Sequence, residues 1–366
     1  MCFHKKLCIL VINATVGRMG IIRKAYSVLR NRARPVPLLA MLTTNIRCNA
    51  RCPYCFEDAY NRREPDMPIE HVRDIIDELA ELGCMEITLQ GGESLLRDDI
   101  DEIVGYIKSK NMLARLISNG MLLAPRIAKV TALDSIGISL DGDESFNDSV
   151  KNTSGYFRKA VAGLRVARAK GISCSIICQM ISGTRQQLPF LFRLAKELDI
   201  GIQFLYTFYS DEHGKDSVFS GSLSGDDYRG LIKDILEAKR QGAPVLASVK
   251  GLRHSANWDR HYQRPHTRNR IVASEIPDGV MRPHCYAGKN LIHIENNGDI
   301  WPCSLNPVKG ANIFESGSVA KAIAKLQTLK DDCVDCVNPP HIDTNAIFSF
   351  DIQTVINYLK VYRKYR

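Results

Sequence analysis

Apolar residues along the chain fall into two alternating patterns. Short, nearly continuous apolar runs occur at residues 37–46 (PLLAMLTTNI), 86–90 (EITLQ), 113–120 (LARLISNG), 135–142 (SIGISLDG), 173–181 (SCSIICQMI) and 200–208 (IGIQFLYTF). Runs of this length bounded by polar or glycine residues predict strands. Between them lie stretches such as 69–83 (IEHVRDIIDELAELG) and 157–171 (FRKAVAGLRVARAKG), where apolar residues recur at helical spacing. Strands alternating with helices predict parallel βαβ units, hence an α/β fold. Residues 290–303 (NLIHIENNGDIWPC) read differently, as two short β-like runs around an Asn-Gly-Asp turn, a hairpin. Both ends of the chain are basic and amphipathic, at 19–34 (MGIIRKAYSVLRNRAR) and 352–366 (IQTVINYLKVYRKYR).

Composition narrows the class only slightly. A length of 366 residues, with 45% hydrophobic and 24% charged residues, suits one large soluble domain plus a smaller one. Neither a fixed-period repeat nor a low-complexity tract is present, which removes solenoid and disordered readings. The absence of a long apolar stretch argues against a spanning helix. Residues 1–18 resemble a signal peptide only loosely, because Asn13 ends the apolar run early; Met19 offers a cleaner start. The expected location is cytoplasmic. The net charge of +9 (49 basic against 40 acidic residues) can attract nucleic acid, an anionic membrane or a phosphorylated substrate without choosing among them. The basic amphipathic ends add peripheral membrane contact as an expectation, set against helices packed with their basic faces in water.

The twelve cysteines change the picture. In a reducing compartment, clustered cysteines point to metal more often than to disulfides. Cys2, Cys8, Cys84, Cys174 and Cys178 are scattered and read as small buried hydrophobes. The remainder form two groups. Cys48, Cys52 and Cys55 stand on a short loop after the first predicted strand, in the spacing C-x3-C-x2-C, with Tyr54 before the last. Three thiolates can hold three corners of a cubane iron–sulfur cluster and leave one iron open. A structural zinc site, by contrast, usually takes four closed ligands in two pairs. One β–α unit later, Gly91-Gly92-Glu93 ends the second strand. Two glycines allow close backbone approach, and a carboxylate can accept from a cation.

These motifs in this order resemble the radical S-adenosylmethionine (SAM) superfamily. The resemblance implies a partial (β/α)6 TIM-type barrel over residues 38–235, with its site at the strand C-termini. It implies a 4Fe–4S cluster on Cys48, Cys52 and Cys55, with SAM on the open iron. Expected SAM contacts are Tyr54, Gly91, Gly92, Glu93 (toward the ammonium), Ser118, Asn119, Ser139 and Asp141. Many relatives place an arginine for the SAM carboxylate where this chain has Lys151, a point charge instead of a bidentate fork. The implied chemistry is one-electron cleavage of SAM to a 5′-deoxyadenosyl radical that abstracts hydrogen from a substrate carbon. An external electron donor such as flavodoxin or ferredoxin would be required, and a nucleic-acid partner is not expected.

The second group, Cys285-x12-Gly298-x4-Cys303 followed by Cys333-x2-Cys336, looks like the opening of the SPASM/twitch extensions of this superfamily. A full SPASM domain would carry further cysteines, and none follows Cys336. One auxiliary 4Fe–4S cluster on four cysteines is therefore expected, with a four-cysteine zinc knuckle as the alternative. The expected domains are an N-terminal extension (1–37), the core (38–235), a linker (236–280), the auxiliary-cluster domain (281–345) and a C-terminal basic helix (346–366). The aromatic and basic residues at 254–270 read as a solvated loop, or as a grip for an anion. The substrate stays open among peptide, small metabolite and lipid. The competing class is a non-catalytic zinc- or SAM-binding module.

Overall fold

Alternation along the first strand sets the architecture. In β1 (Leu39–Asn45), Ala40 and Leu42 are fully buried apolar side chains on one face, while Met41 and Thr43 occupy the other. The same parity repeats in β2 (Glu86–Gly91), β3 (Leu113–Ser118), β4 (Ser135–Ser139), β5 (Ser173–Met180) and β6 (Gly201–Tyr206). Ile87, Leu89, Ala114, Leu116, Ile136, Ile138 and Ile176 continue the apolar face; Thr88, Gln90, Arg115, Gln179 and Gln203 share the opposite one. The computed structural model describes residues 36–55, 57, 59–207, 223–257, 284–304, 308–329, 336 and 338–365. The predicted N-terminal helix at 19–34, Cys333, and residues 258–270 of the aromatic and basic segment lie outside the described residues.

All six strands pair in parallel in chain order. Helices cover the apolar face. In α1 (Ile69–Leu82), Val72, Ile75, Ile76 and Leu79 are buried, and Gly83 ends the helix in the left-handed region at φ 91°. The succeeding helices follow the same logic: α2 (Ile100–Ser109), α3 (Leu123–Arg126), α4 (Glu144–Val150), α5 (Tyr156–Ala169) and α6 (Thr184–Glu197). The sheet curls toward its polar face. Arg115 Nη2 of β3 donates to Gln203 Oε1 of β6 at 3.3 Å, although β4 and β5 lie between them. A partial (β/α)6 barrel results, as the resemblance implies, with a polar concave face.

Two features differ from the sequence reading. Residues 236–257 are not an open linker. α7 (Gly225–Arg240) runs through the boundary at 235, and α8 (Val249–Ala256) follows it, capped by Ser248, whose hydroxyl accepts from Gly251 N. Ser248 N and Oγ both donate to Asp343, so this stretch packs onto the C-terminal helices. The hairpin, β7 (Leu291–Ile294) and β8 (Ile300–Trp301), forms as expected but does not stand apart. β7 pairs in parallel with β1, giving the sheet order β6-β5-β4-β3-β2-β1-β7-β8. Asn290 locks the junction: its carbonyl accepts from Leu38 N and Leu39 N, and its side chain donates to Val36 O. Short α9 (Ile313–Ser316) follows, then α10 (Val319–Leu329), α11 (Pro339–Phe348) and the C-terminal α12 (Ile352–Tyr365).

Candidate metal centre and active site

The cysteine loop leaves β1 along a stem made by glycine. Gly92 N donates to Asn45 O and Glu93 N to Arg47 O, both at 3.0 Å, while Asn45 Nδ2 returns a bond to Glu93 O. A Cβ on Gly91 would sit 2.0 Å from Asn45 O, and one on Gly92 would sit 2.2 Å from Arg47 O. Glycine is required there because two backbones touch. The close approach that these glycines admit includes the chain entering Cys48. Arg47 forks onto Asp66 at 2.8 and 2.7 Å and donates to Leu96 O, fixing the stem from the other side.

Cys48, Cys52 and Cys55 line one cavity of about 230 Å³, together with Arg51, Tyr60 and Asn152. Burial, joined by Glu93 and the other two cysteines and opposed by the Ala50 N–H, pushes the Cys48 thiol up to about 12. Burial also raises Cys52, to about 11, against the opposing pull of Lys151. Three thiols whose ionised forms repel one another in a dry pocket call for a cationic group to ionise them. Among the described residues, no set of three His, Cys, Asp or Glu side chains is arranged to hold one metal ion. A multi-iron cluster takes one thiolate per iron, so three separated sulfurs on one loop fit that group. N–H groups already face Cys48 Sγ: Ala50 N at 3.4 Å and Asn119 Nδ2 at 3.7 Å.

Glu93 and Ser118 work from behind this surface. The Glu93 carboxylate is 1% exposed and accepts from Leu95 N, Asn119 N and the Ser118 hydroxyl. Burial pushes its pKa up while those donors draw it back. These three donors tie it to the backbone at Asn119, so it shapes the loop there. Ser118 Oγ also accepts from Gly120 N. Asn119 then bridges outward, with Nδ2 on Asn49 Oδ1 at 2.7 Å and Oδ1 receiving Met121 N.

Lys151 lies inside the site. It is 2% exposed and pairs at 2.9 Å with Asp141 Oδ2, itself 0% exposed. Tyr54 donates to the same carboxylate oxygen at 2.5 Å and is also hydrogen-bonded to Lys151 Nζ. Burial works to lower the pKa of the lysine, but Asp141 and Cys52 outweigh it and the net direction is upward, so it stays cationic. Asp141 Oδ1 takes Gln179 N, and the Ser139 carbonyl takes the Tyr156 hydroxyl. Asp141, the loop residue Tyr54 and the helix-end residue Lys151 therefore meet, and Ser139 joins them through Tyr156, whose ring lies under Lys151.

Sequence reading missed a second polar cluster. His293 of β7 is fully buried, with Nε2 within 3.1 Å of Thr43 Oγ1, Gln90 Nε2 and Glu295 Oε1. Burial and Glu295 push the nearby Glu57 carboxyl up to about 7, against His293 and Arg62. A histidine in a hairpin carries no signal by itself; only the pairing of β7 with β1 reveals its neighbours. The hairpin turn also reaches the cysteine stem. Asn296 binds Met67 N and Pro65 O, and Asp66 between them holds Arg47.

In the second cysteine group, Gly288 N donates to Leu291 O and Pro302 O, drawing the chain after Cys285 against the residue before Cys303. Tyr286 N donates to Asn345 Oδ1 in α11, and Asn338, two residues past Cys336, accepts from Tyr206 N at the end of β6. Cys303 is buried; Cys285 and Cys336 are half-buried.

Residues 42–195 match the Radical SAM superfamily. The chain is 30% identical over 200 residues to the Fe-coproporphyrin III synthase of Methanosarcina barkeri, covering 53% of this chain and 50% of that protein. It is 24% identical over 305 residues to the AdoMet-dependent heme synthase of the same organism, covering 79% and 85%. It is 30% identical over 181 residues to the PqqA peptide cyclase of Gluconobacter oxydans, covering 48% and 50%. The chain thus spans about half the length of two of these relatives. Among solved structures, native anSMEcpe with bound AdoMet and Cp18Cys peptide is similar in fold, with a TM-score of 0.59 at 14% identity over 88% of this chain and 99% of that one.

Proposed function

We propose that this chain, whose residues 42–195 match the Radical SAM superfamily, is a radical SAM enzyme that generates a 5′-deoxyadenosyl radical to remove hydrogen from a carboxylate-bearing tetrapyrrole. A 4Fe–4S cluster on Cys48, Cys52 and Cys55 would supply the electron that breaks the carbon–sulfur bond of SAM. The observation that carries the reading is the packing of that cysteine loop onto the Gly91-Gly92-Glu93 stem, with Asn119 against Cys48. Gly91 and Gly92 set the distance between stem and loop. Glu93 and Ser118 fix the backbone at Asn119, and Tyr54 and Lys151 tie the loop to Asp141 and the Ser139 strand end. Held rigid in this way, the loop meets SAM in one geometry and keeps water from the reacting atoms.

The substrate class rests on how far the similarities extend. The match to the heme synthase spans 79% of this chain, whereas the match to the peptide cyclase spans 48%. Cys285, Cys303, Cys333 and Cys336 would hold the auxiliary 4Fe–4S cluster. The ties from Tyr286 and Asn338 to α11 and β6 support a shared site for that group.

Two measurements test this. Anaerobically purified protein should carry roughly eight irons with matching sulfide, about half of it lost when Cys48, Cys52 and Cys55 are replaced together. Dithionite-reduced protein should cleave SAM to 5′-deoxyadenosine. Zinc without acid-labile sulfide would overturn the assignment of both cysteine groups. A peripheral membrane contact is supported by α12, where Ile352, Ile356 and Tyr358 are exposed beside the exposed Lys360 and Lys364. Co-sedimentation with anionic vesicles should then weaken as salt rises, because screening acts over roughly 8 Å at physiological ionic strength. Salt-independent or absent co-sedimentation would remove the membrane role. No helix among the described residues is long and apolar enough to cross a membrane.

A further inference from the structure

The concave face of the barrel carries a cation that forms no ion pair among the described residues. Arg115, at the middle of β3, points away from the helix-covered face that Ala114 and Leu116 occupy, both at 0% exposure. Its register neighbours are Thr88 on β2 and Ser135 on β4, two neutral hydroxyl residues. Its guanidinium makes one hydrogen bond, Nη2 to Gln203 Oε1, and its Nε is buried with no partner. The acidic side chain on the same face of β2 is Glu86, which accepts from Thr88 Oγ1 at 3.4 Å and forms no ion pair with Arg115. Three other arginines of the barrel are matched, Arg47 to Asp66, Arg97 to Asp99 and Arg126 to Asp98, while Arg51 and Arg193 lie over the rings of Tyr60 and Phe190.

A half-buried guanidinium with an orphaned N–H costs free energy unless an anion arrives to meet it. The guanidinium fork suits a carboxylate, to which it can offer two parallel N–H groups. Around it lie the Thr88 and Ser135 hydroxyls and the Gln203 amide, with Glu86 one pleat away on β2, so such a group would meet hydroxyls and an amide beside the cation. We propose that Arg115 is the anchor for a carboxylate of the substrate inside the barrel. This rests on the tetrapyrrole reading only for the identity of the molecule; the anion site stands on the geometry of β3.

The test uses the full chain, reconstituted with iron and sulfide and supplied with SAM. Binding of coproporphyrin III, a porphyrin bearing four carboxylates, is followed by its fluorescence and compared with that of its tetramethyl ester. Wild type should bind the acid at least about tenfold more tightly than the ester. Arg115→Gln should bring the acid down to the level of the ester, and Arg115→Lys should fall between. Iron content and melting temperature report whether each variant is folded. If Arg115→Gln does not fold, the acid-to-ester ratio on wild type decides, and equal binding overturns the site. If wild type binds neither porphyrin, the tetrapyrrole reading fails, and a glutamate-rich peptide is compared with its glutamine counterpart. Preference for the acidic peptide, lost in Arg115→Gln, would retain the carboxylate site under a different substrate. No preference in either series overturns it.

Discussion

At the scale of single residues, the site is built from pairs remote in sequence. Tyr54 and Lys151 are 97 positions apart, and Glu93 and Ser118 are 25 apart. Chain order exposes the cysteines and the Gly-Gly-Glu motif, because their spacing is local. It does not show that Lys151 is taken up by Asp141, because that depends on two loops meeting. Lys151→Met would leave the Asp141 carboxylate buried and unmatched, a loss of about 3–5 kcal/mol in unfolding free energy. Lys151→Met with Asp141→Asn should cost clearly less than the sum of the single changes in urea melts, and additive costs would deny the coupling. Cys84 and Cys174 behave as the scattered pattern suggests, as buried members of the core. Burial holds both thiols up at about 12. Their folded value lies above the ordinary 9.0, so the native state loses stability as pH rises from about 9 toward 12, with no effect below. Cys84→Ala should flatten that alkaline decline in melting temperature, whatever it costs at neutral pH.

At the scale of elements, six parallel strands and a hairpin were legible because each is a local pattern bounded by its own turn. The stretch at 236–257 was not, because its short helices gain order from partners far along the chain. Ser248 is fixed by Asp343, and Lys250 pairs with Asp351. The glycine stem was legible as a motif, but its contact with backbone from the preceding strand exit was not. Gly92→Ala should therefore damage the protein before any ligand is added. A Cβ at 2.2 Å from the Arg47 carbonyl forces the stem apart, with a destabilisation on the order of 2 kcal/mol. The measurable outcome is a lower melting temperature together with less iron retained per chain. Normal iron and stability with weakened SAM binding would instead assign the glycine to the ligand.

At the scale of the whole molecule, the second cysteine group is continuous with the barrel. β7 covers the outer edge of β1, and Ile292 and Ile294 are fully buried there. Sequence pattern supplies the hairpin, but nothing local tells a hairpin which edge to join. A chain ended after residue 257 would leave that edge open, with the hydrogen-bonding groups of β1 unpaired. Such a protein should aggregate on size-exclusion chromatography; a monodisperse, iron-binding fragment would show that the hairpin is dispensable. The same pairing also orders events on the ribosome. Thr43 and His293 touch across 250 positions, so β1 emerges long before its second neighbour is made. Contacts at that separation form late, and domains of this size pass through partly paired states. The loop bearing Cys48, Cys52 and Cys55 is then tethered on one side only until β7 has been made. Iron and sulfide that arrived before β7 emerged would meet a loop held from one side only.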